Sequence, residues 1–288
     1  MTLRSLSIVF VTTLICAVSL QNLFAASLGN HNKRFTNPRD MNESDWSNPA
    51  ELERSWKAAL VRIPTENGKF TNSVIGDLSK PIATIKRYPT IIYLHGCAGV
   101  WQGTYSRLNF FAMSGFAVIA PISFARTKYP QSCDVYTKRA GMYRETLTMR
   151  QNDAGYAIAK AKQLPWVDTN NVFLVGLSQG GITAATFFSK EDIKSVNARV
   201  IEGWTCHSGW DEYKGINAPD KEAILSLVGE KDPWFQHNWT RGDCGKFMKN
   251  SNSESVVFKK GYLSTRHELL EDKSVQKIVL DFLKKNIH

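Results

Sequence analysis

Six short segments of this chain are mostly apolar: Thr90–Leu94, Gly115–Pro121, Asn171–Gly176, Ala198–Trp204, Ala223–Gly229 and Ser255–Phe258. A strand with one wetted face alternates apolar and polar residues. A run that is apolar on both faces needs cover from above and below, as the strands of a parallel sheet have. Helical stretches fall between them: Tyr105–Met113, Lys138–Gln163, Gly181–Ser189, Gly242–Lys249 and Ser274–Asn286. In the second of these, Ala154, Ala157, Ile158, Ala161 and Leu164 recur at three- and four-residue steps and make one apolar face. Strand and helix in alternation predict an α/β fold: a doubly wound, mostly parallel sheet with helices on both faces. Ahead of it, Ala58–Ile63 and Asn72–Leu78 read as a hairpin about Asn67-Gly68.

The chain of 288 residues divides into three parts. Residues 1–25 have a secretory layout: Arg4, an uncharged run from Ile8 to Leu20, and small residues about Ala25 for cleavage. That run is too short to span a bilayer comfortably, and the mature chain is expected to have no membrane span. The bulky Leu14-Ile15 before Cys16 speaks against lipoprotein processing. Residues 26–57 form a polar lead-in, loosely ordered except for a short helix near Glu51–Lys57, and residues 58–288 are of single-domain length. The net charge of +10 is scattered, with only short pairs such as Lys259-Lys260, so a solvated basic surface is expected rather than a nucleic-acid site. Oligomeric state is not legible.

Gly176-Leu177-Ser178-Gln179-Gly180 stands between a predicted strand and a predicted helix. This is the setting of a nucleophile elbow, where a strained turn exposes a serine and the following helix N-terminus offers free amides to an oxyanion. A serine hydroxyl is a weak nucleophile without a base, and the base needs a carboxylate to orient it. Behind such an elbow the chain order is acid, then histidine. His267 alone lies between the last strand and the last helix and is the expected base, with His207 and His237 as rivals. Asp232, in the loop after Ala223–Gly229 and rigidified by Pro233, is the expected acid, with Glu230 as its neighbour and rival. The expected oxyanion donors are the amides of Gln179 and Cys97, with Ala98 as the alternative to Cys97. His95 reads as a structural residue of the turn. No metal or organic cofactor is expected for this chemistry, and no His/Cys spacing looks like a zinc site.

These motifs, His95-Gly96-Cys97-Ala98-Gly99, Gly176–Gly181, Gly229-Glu230-Lys231-Asp232 and His267, in that order, make the chain from about Leu60 onward resemble the dienelactone hydrolase-like branch of the α/β-hydrolase superfamily. The resemblance implies an acyl hydrolase acting on small-molecule substrates. One departure stands out: true dienelactone hydrolases carry cysteine at the elbow, and this chain has Ser178. The difference turns the expectation toward ordinary carboxylic esters. Little chain separates Trp210 from Ala223, which leaves no room for a large lid domain. On this reading Trp101, Phe124, Trp204, Trp210 and Trp234 fall near the active-site ends of strands, and some of them line the substrate pocket. Cys97, Cys133, Cys206 and Cys244 would lie in loops at that same end, and the expected bridges are Cys97–Cys133 and Cys206–Cys244. A serine peptidase of the same fold and a non-catalytic binding protein that retains it are the competing readings.

Overall fold

The computed structural model describes residues 35–65, 68–78, 86–188 and 191–288. The expected signal segment 1–25 and Asn67 of the expected hairpin turn lie outside the described residues.

Eight strands form one sheet: β1 (Leu60–Pro64), β2 (Phe70–Val74), β3 (Tyr88–Leu94), β4 (Ala117–Ala120), β7 (Val167–Leu177), β8 (Ala198–Glu202), β9 (Ala223–Gly229) and β10 (Glu254–Phe258). Their spatial order is β2-β1-β4-β3-β7-β8-β9-β10. From β4 to β10 every neighbouring pair is parallel, while β1 is antiparallel to both β4 and β2. A separate ribbon pairs β5 (Cys133–Asp134) with β6 (Arg139–Ala140). The helices are α1 (Glu43–Trp46), α2 (Pro49–Lys57), α3 (Gln102–Met113), α4 (Thr146–Ala161), α5 (Gln179–Thr186) and α6 (Lys273–Lys285).

The double-sided apolar strands feed two large cores and a smaller third, where Ile201 of β8 and Ile224 of β9 pack with Ile182 and Ala185 of α5. Ile91 and Tyr93 of β3, Val118 of β4 and Phe173 and Val175 of β7 face α3 and α6, packing with Leu108, Phe111, Val275, Val279 and Leu283. Their sequence neighbours Ile92, Leu94, Ile119, Val172 and Leu174 point the other way. There they meet Trp56 of α2, the alanine face of α4 and Ala184 of α5. The sheet is therefore covered on both sides, as the runs required.

Two expected helices are shorter than their sequences proposed. α4 starts at Thr146 rather than Lys138, because Gly141 has φ +71° and Cys133 is tied to Cys97, so the chain ahead of it folds as the β5–β6 ribbon. Gly242–Lys249 keeps only a single 3-10 turn, Gly245–Phe247, since Cys244 is bonded to Cys206. The hairpin's second strand is also displaced: it begins at Phe70, and Ile75–Asp77 turns into a 3-10 helix.

The lead-in from residue 35 on is built into the fold. Asn48 caps α2 by accepting from the amides of Ala50 and Glu51. The Glu51 carboxylate accepts from the Thr127 amide and hydroxyl. Arg126 is the main link. Its guanidinium donates to both Asp153 carboxylate oxygens on α4 and to the backbone carbonyls of Asp45 and Trp46, at 2.8–3.3 Å. Arg126 and Asp153 are both buried. Removing one partner of such a pair leaves a charge without compensation in the interior. We expect Asp153→Ala to lower unfolding free energy by about 3–5 kcal/mol, read from the urea midpoint; a loss below about 1 kcal/mol would mean that the clamp is not structural.

Candidate active site

β7 runs to Leu177, and α5 starts at Gln179, so Ser178 is the whole turn between them. Its backbone sits at φ 56° and ψ −118°, a conformation that side chains other than glycine rarely adopt. The surrounding contacts hold it there. The Ser178 amide donates to the Glu202 carbonyl of β8 at 2.8 Å, and its carbonyl accepts the Ile182 amide at 2.8 Å. A Cβ on Gly180 would lie 2.0 Å from the Leu94 carbonyl oxygen of β3, and one on Gly176 would lie 2.1 Å from the Gly180 oxygen. Only glycine lets the helix settle this close to the strand ends. The Gln179 amide, first in α5, has no partner within the helix.

Asp232 follows β9 and is 3 % exposed. One carboxylate oxygen accepts the Trp234 amide at 3.0 Å, and the other lies 2.6 Å from His267 Nδ1. With its Nδ1–H donated to Asp232, the imidazole presents a lone pair at Nε2. That atom is buried and has no hydrogen-bond partner among the described residues. Trp234 stacks on the same ring, with centroids 5.2 Å apart. Ser178 and His267 border the same cleft, which has two lobes of about 280 and 540 Å³. Glu230, the rival acid, is exposed, and its amide continues the ladder to Phe258. His207 is turned to the Thr205 carbonyl, and His237 stacks on Trp239.

The smaller lobe is walled by the turn Gly96-Cys97-Ala98-Gly99, closed by a bond from the Gly99 amide to the Gly96 carbonyl. This turn stands against the elbow: a Cβ on Gly96 would lie 3.7 Å from that of Ser178. Cys97 is bonded to Cys133, and Cys206 to Cys244. Bridges of this kind persist in oxidising compartments. His95 is fully buried with Nδ1 2.7 Å from the Gly96 carbonyl, and it packs edge-on against Phe124.

Of the expected pocket aromatics, Trp101 and Trp234 border the smaller lobe, and Trp204, Trp210 and Trp234 the larger. Phe124 borders neither. It lies in the core beneath the turn, between His95 and Tyr129.

Three buried charged residues at this site escaped the sequence reading. Arg150 of α4 donates to the carbonyls of His95 and Gly96 and to Gln179 Oε1, so one guanidinium ties the turn at 96–99 to the residue after the serine. Ser132 donates to the same Gln179 oxygen. Glu202, at the end of β8, takes both forks of Arg107 at 2.8 and 3.1 Å and accepts the amides of Leu269 and Leu270. It therefore anchors the segment directly after His267. Glu268 shares Arg107 at 3.3 Å, and burial, opposed by that guanidinium, pushes its carboxyl above the ordinary range. The available signal was charge in the wrong place, since an Arg beside the apolar face of a helix, or a Glu in a run apolar on both sides, must find a buried partner.

Similar architecture occurs in solved structures. One assigned as a dienelactone hydrolase from Klebsiella pneumoniae subsp. pneumoniae matches with TM-score 0.50 and 16% identity, over 72% of this chain and 90% of its own. Thermogutta terrifontis esterase 2 matches with TM-score 0.47 and 16% identity, over 79% and 88%. No curated protein matches the chain in sequence. The sequence model of the dienelactone hydrolase family matches residues 76–273, which span β3 to the start of α6 and include the elbow, Asp232 and His267. With well over half its length matched, the chain belongs to the dienelactone hydrolase family and is a hydrolase.

Proposed function

We propose that the protein is a serine hydrolase that cleaves carboxylic esters through an acyl-enzyme, with Ser178 as nucleophile, His267 as base and Asp232 as acid. The observation that carries this reading is the 2.6 Å contact between His267 Nδ1 and Asp232, which leaves a bare Nε2 in the cleft that Ser178 borders.

His267 Nε2 takes the proton of Ser178 as its oxygen attacks the acyl carbonyl. Negative charge then gathers on the carbonyl oxygen, where the amides of Gln179 and Cys97 receive it. Arg150 keeps those two donors in register, so little reorganisation is needed as the charge develops. Asp232 holds the imidazole in the right tautomer and stabilises the imidazolium. His267 returns its proton to the leaving alcohol, which departs. Water, deprotonated by the same nitrogen, then attacks the acyl-serine, and collapse of the second tetrahedral intermediate releases the acid and restores Ser178. Each half-reaction balances with water as the sole co-reactant.

Trp101, Trp204 and Trp234 are assigned to substrate contact, and the protein is placed outside the cytosol, exported by its N-terminal segment. Two disulfides at the cleft support that placement.

A fluorophosphonate probe should label the wild type and leave Ser178→Ala unlabelled; equal resistance of the two would remove the serine mechanism. Asp232→Asn keeps the shape of its side chain but favours the wrong imidazole tautomer. It should lower kcat for p-nitrophenyl acetate by about 10⁴-fold. A loss of less than about tenfold would remove Asp232 from the triad.

A further inference from the structure

The larger lobe of the cleft, about 540 Å³, is a channel of aromatic rings leading away from Ser178 and His267. Trp234 stacks on His267, Trp204 meets Phe235 at 5.9 Å, and Trp210 and Trp239 continue the wall. Trp239 is 59 % exposed at the rim, stacked on His237 with ring planes 3° apart. Four indoles on one lobe are far more planar aromatic surface than a short alkyl ester can use.

Charge narrows the choice of occupant. Aromatic walls can also cage a cation. Here, however, Lys138 Nζ lies 5.4 Å from the Trp234 ring centroid and the Arg144 guanidinium 5.0 Å from that of Trp210. Two of the four indoles are thus already occupied by the protein's own cations. Among the described residues no Asp or Glu borders the lobe to balance a further positive charge. A cationic ligand would be repelled.

Building on the ester-hydrolase reading, we infer that the larger lobe takes a planar, uncharged or anionic aromatic group, so that the preferred substrates are aryl-bearing esters. The ring packs among Trp204, Trp210 and Trp239, and the scissile carbonyl lies at Ser178.

The test uses two pairs of esters in which saturated carbon insulates the ring, so that intrinsic reactivity is nearly matched. Ethyl 3-phenylpropanoate is set against ethyl 3-cyclohexylpropanoate for the acyl side, and benzyl acetate against cyclohexylmethyl acetate for the alcohol side. The wild type should favour the aryl member of one pair by about fivefold or more in kcat/KM, with the difference carried in KM. Calorimetric titration of Ser178→Ala should show the same order of affinity. The double variant Trp210→Ala/Trp239→Ala should reduce the preference to about twofold or less. Equal constants within both pairs, or a preference that survives the double variant, would overturn the inference and leave the esterase reading standing. Tight aryl binding to Ser178→Ala with no turnover of any of the four esters by the wild type would instead overturn the ester reading.

Discussion

Backbone crowding at the strand ends governs the whole cleft. Helix α5 sits so near β3 that Gly180 has no space for a methyl group, and so near β7 that Gly176 has none either. That proximity forces Ser178 into its left-handed turn. The same turn leaves the first amide of the helix without a partner inside it. The cores pull the sheet and helices together, and the glycines set how close they come. The backbone of Ser178 is thus a consequence of packing, and its strain is held by the bonds to Glu202 and Ile182 on either side of it.

Around that turn the protein spends buried charge to hold loops in place. Arg150 joins His95, Gly96 and Gln179, and the Arg107–Glu202 pair holds the chain just beyond His267. Neither arrangement is an economical way to add stability, because each ion must be stripped of water. What they provide is direction. A guanidinium with several fixed acceptors, or a carboxylate taking two consecutive amides, permits one loop conformation where an apolar contact would permit several. The segments that need such precision are the ones with no regular secondary structure: the turn at 96–99 and the loop bearing His267.

The centre of the sheet could be read from the sequence because its strands are buried on both faces, and apolar runs of that kind have few other uses. The elbow was legible for a related reason, since three glycines around one serine between strand and helix leave little choice of geometry. Loops were harder. Lys138–Glu145 has ordinary helical composition, but the bond between Cys133 and Cys97 and the left-handed Gly141 bend it into a ribbon. Phe124 falls near a strand end, as a pocket residue would, yet its ring turns into the core against His95. Arg150 and Glu202 passed unnoticed because their partners are 55 and 95 residues away along the chain, a distance that local pattern cannot bridge.

The two disulfides both close loops on one rim of the sheet. Cys206 and Cys244 also pack in an apolar cluster with Ile182 and Ala185 of α5, Ile201 of β8 and Ile224 of β9. Resistance to opening is therefore unevenly distributed: the sheet is secured by its own burial, while the rim carrying the turn at 96–99 and the tryptophan channel is secured by sulfur in addition to buried charge. In a reducing medium the rim would loosen well before the sheet.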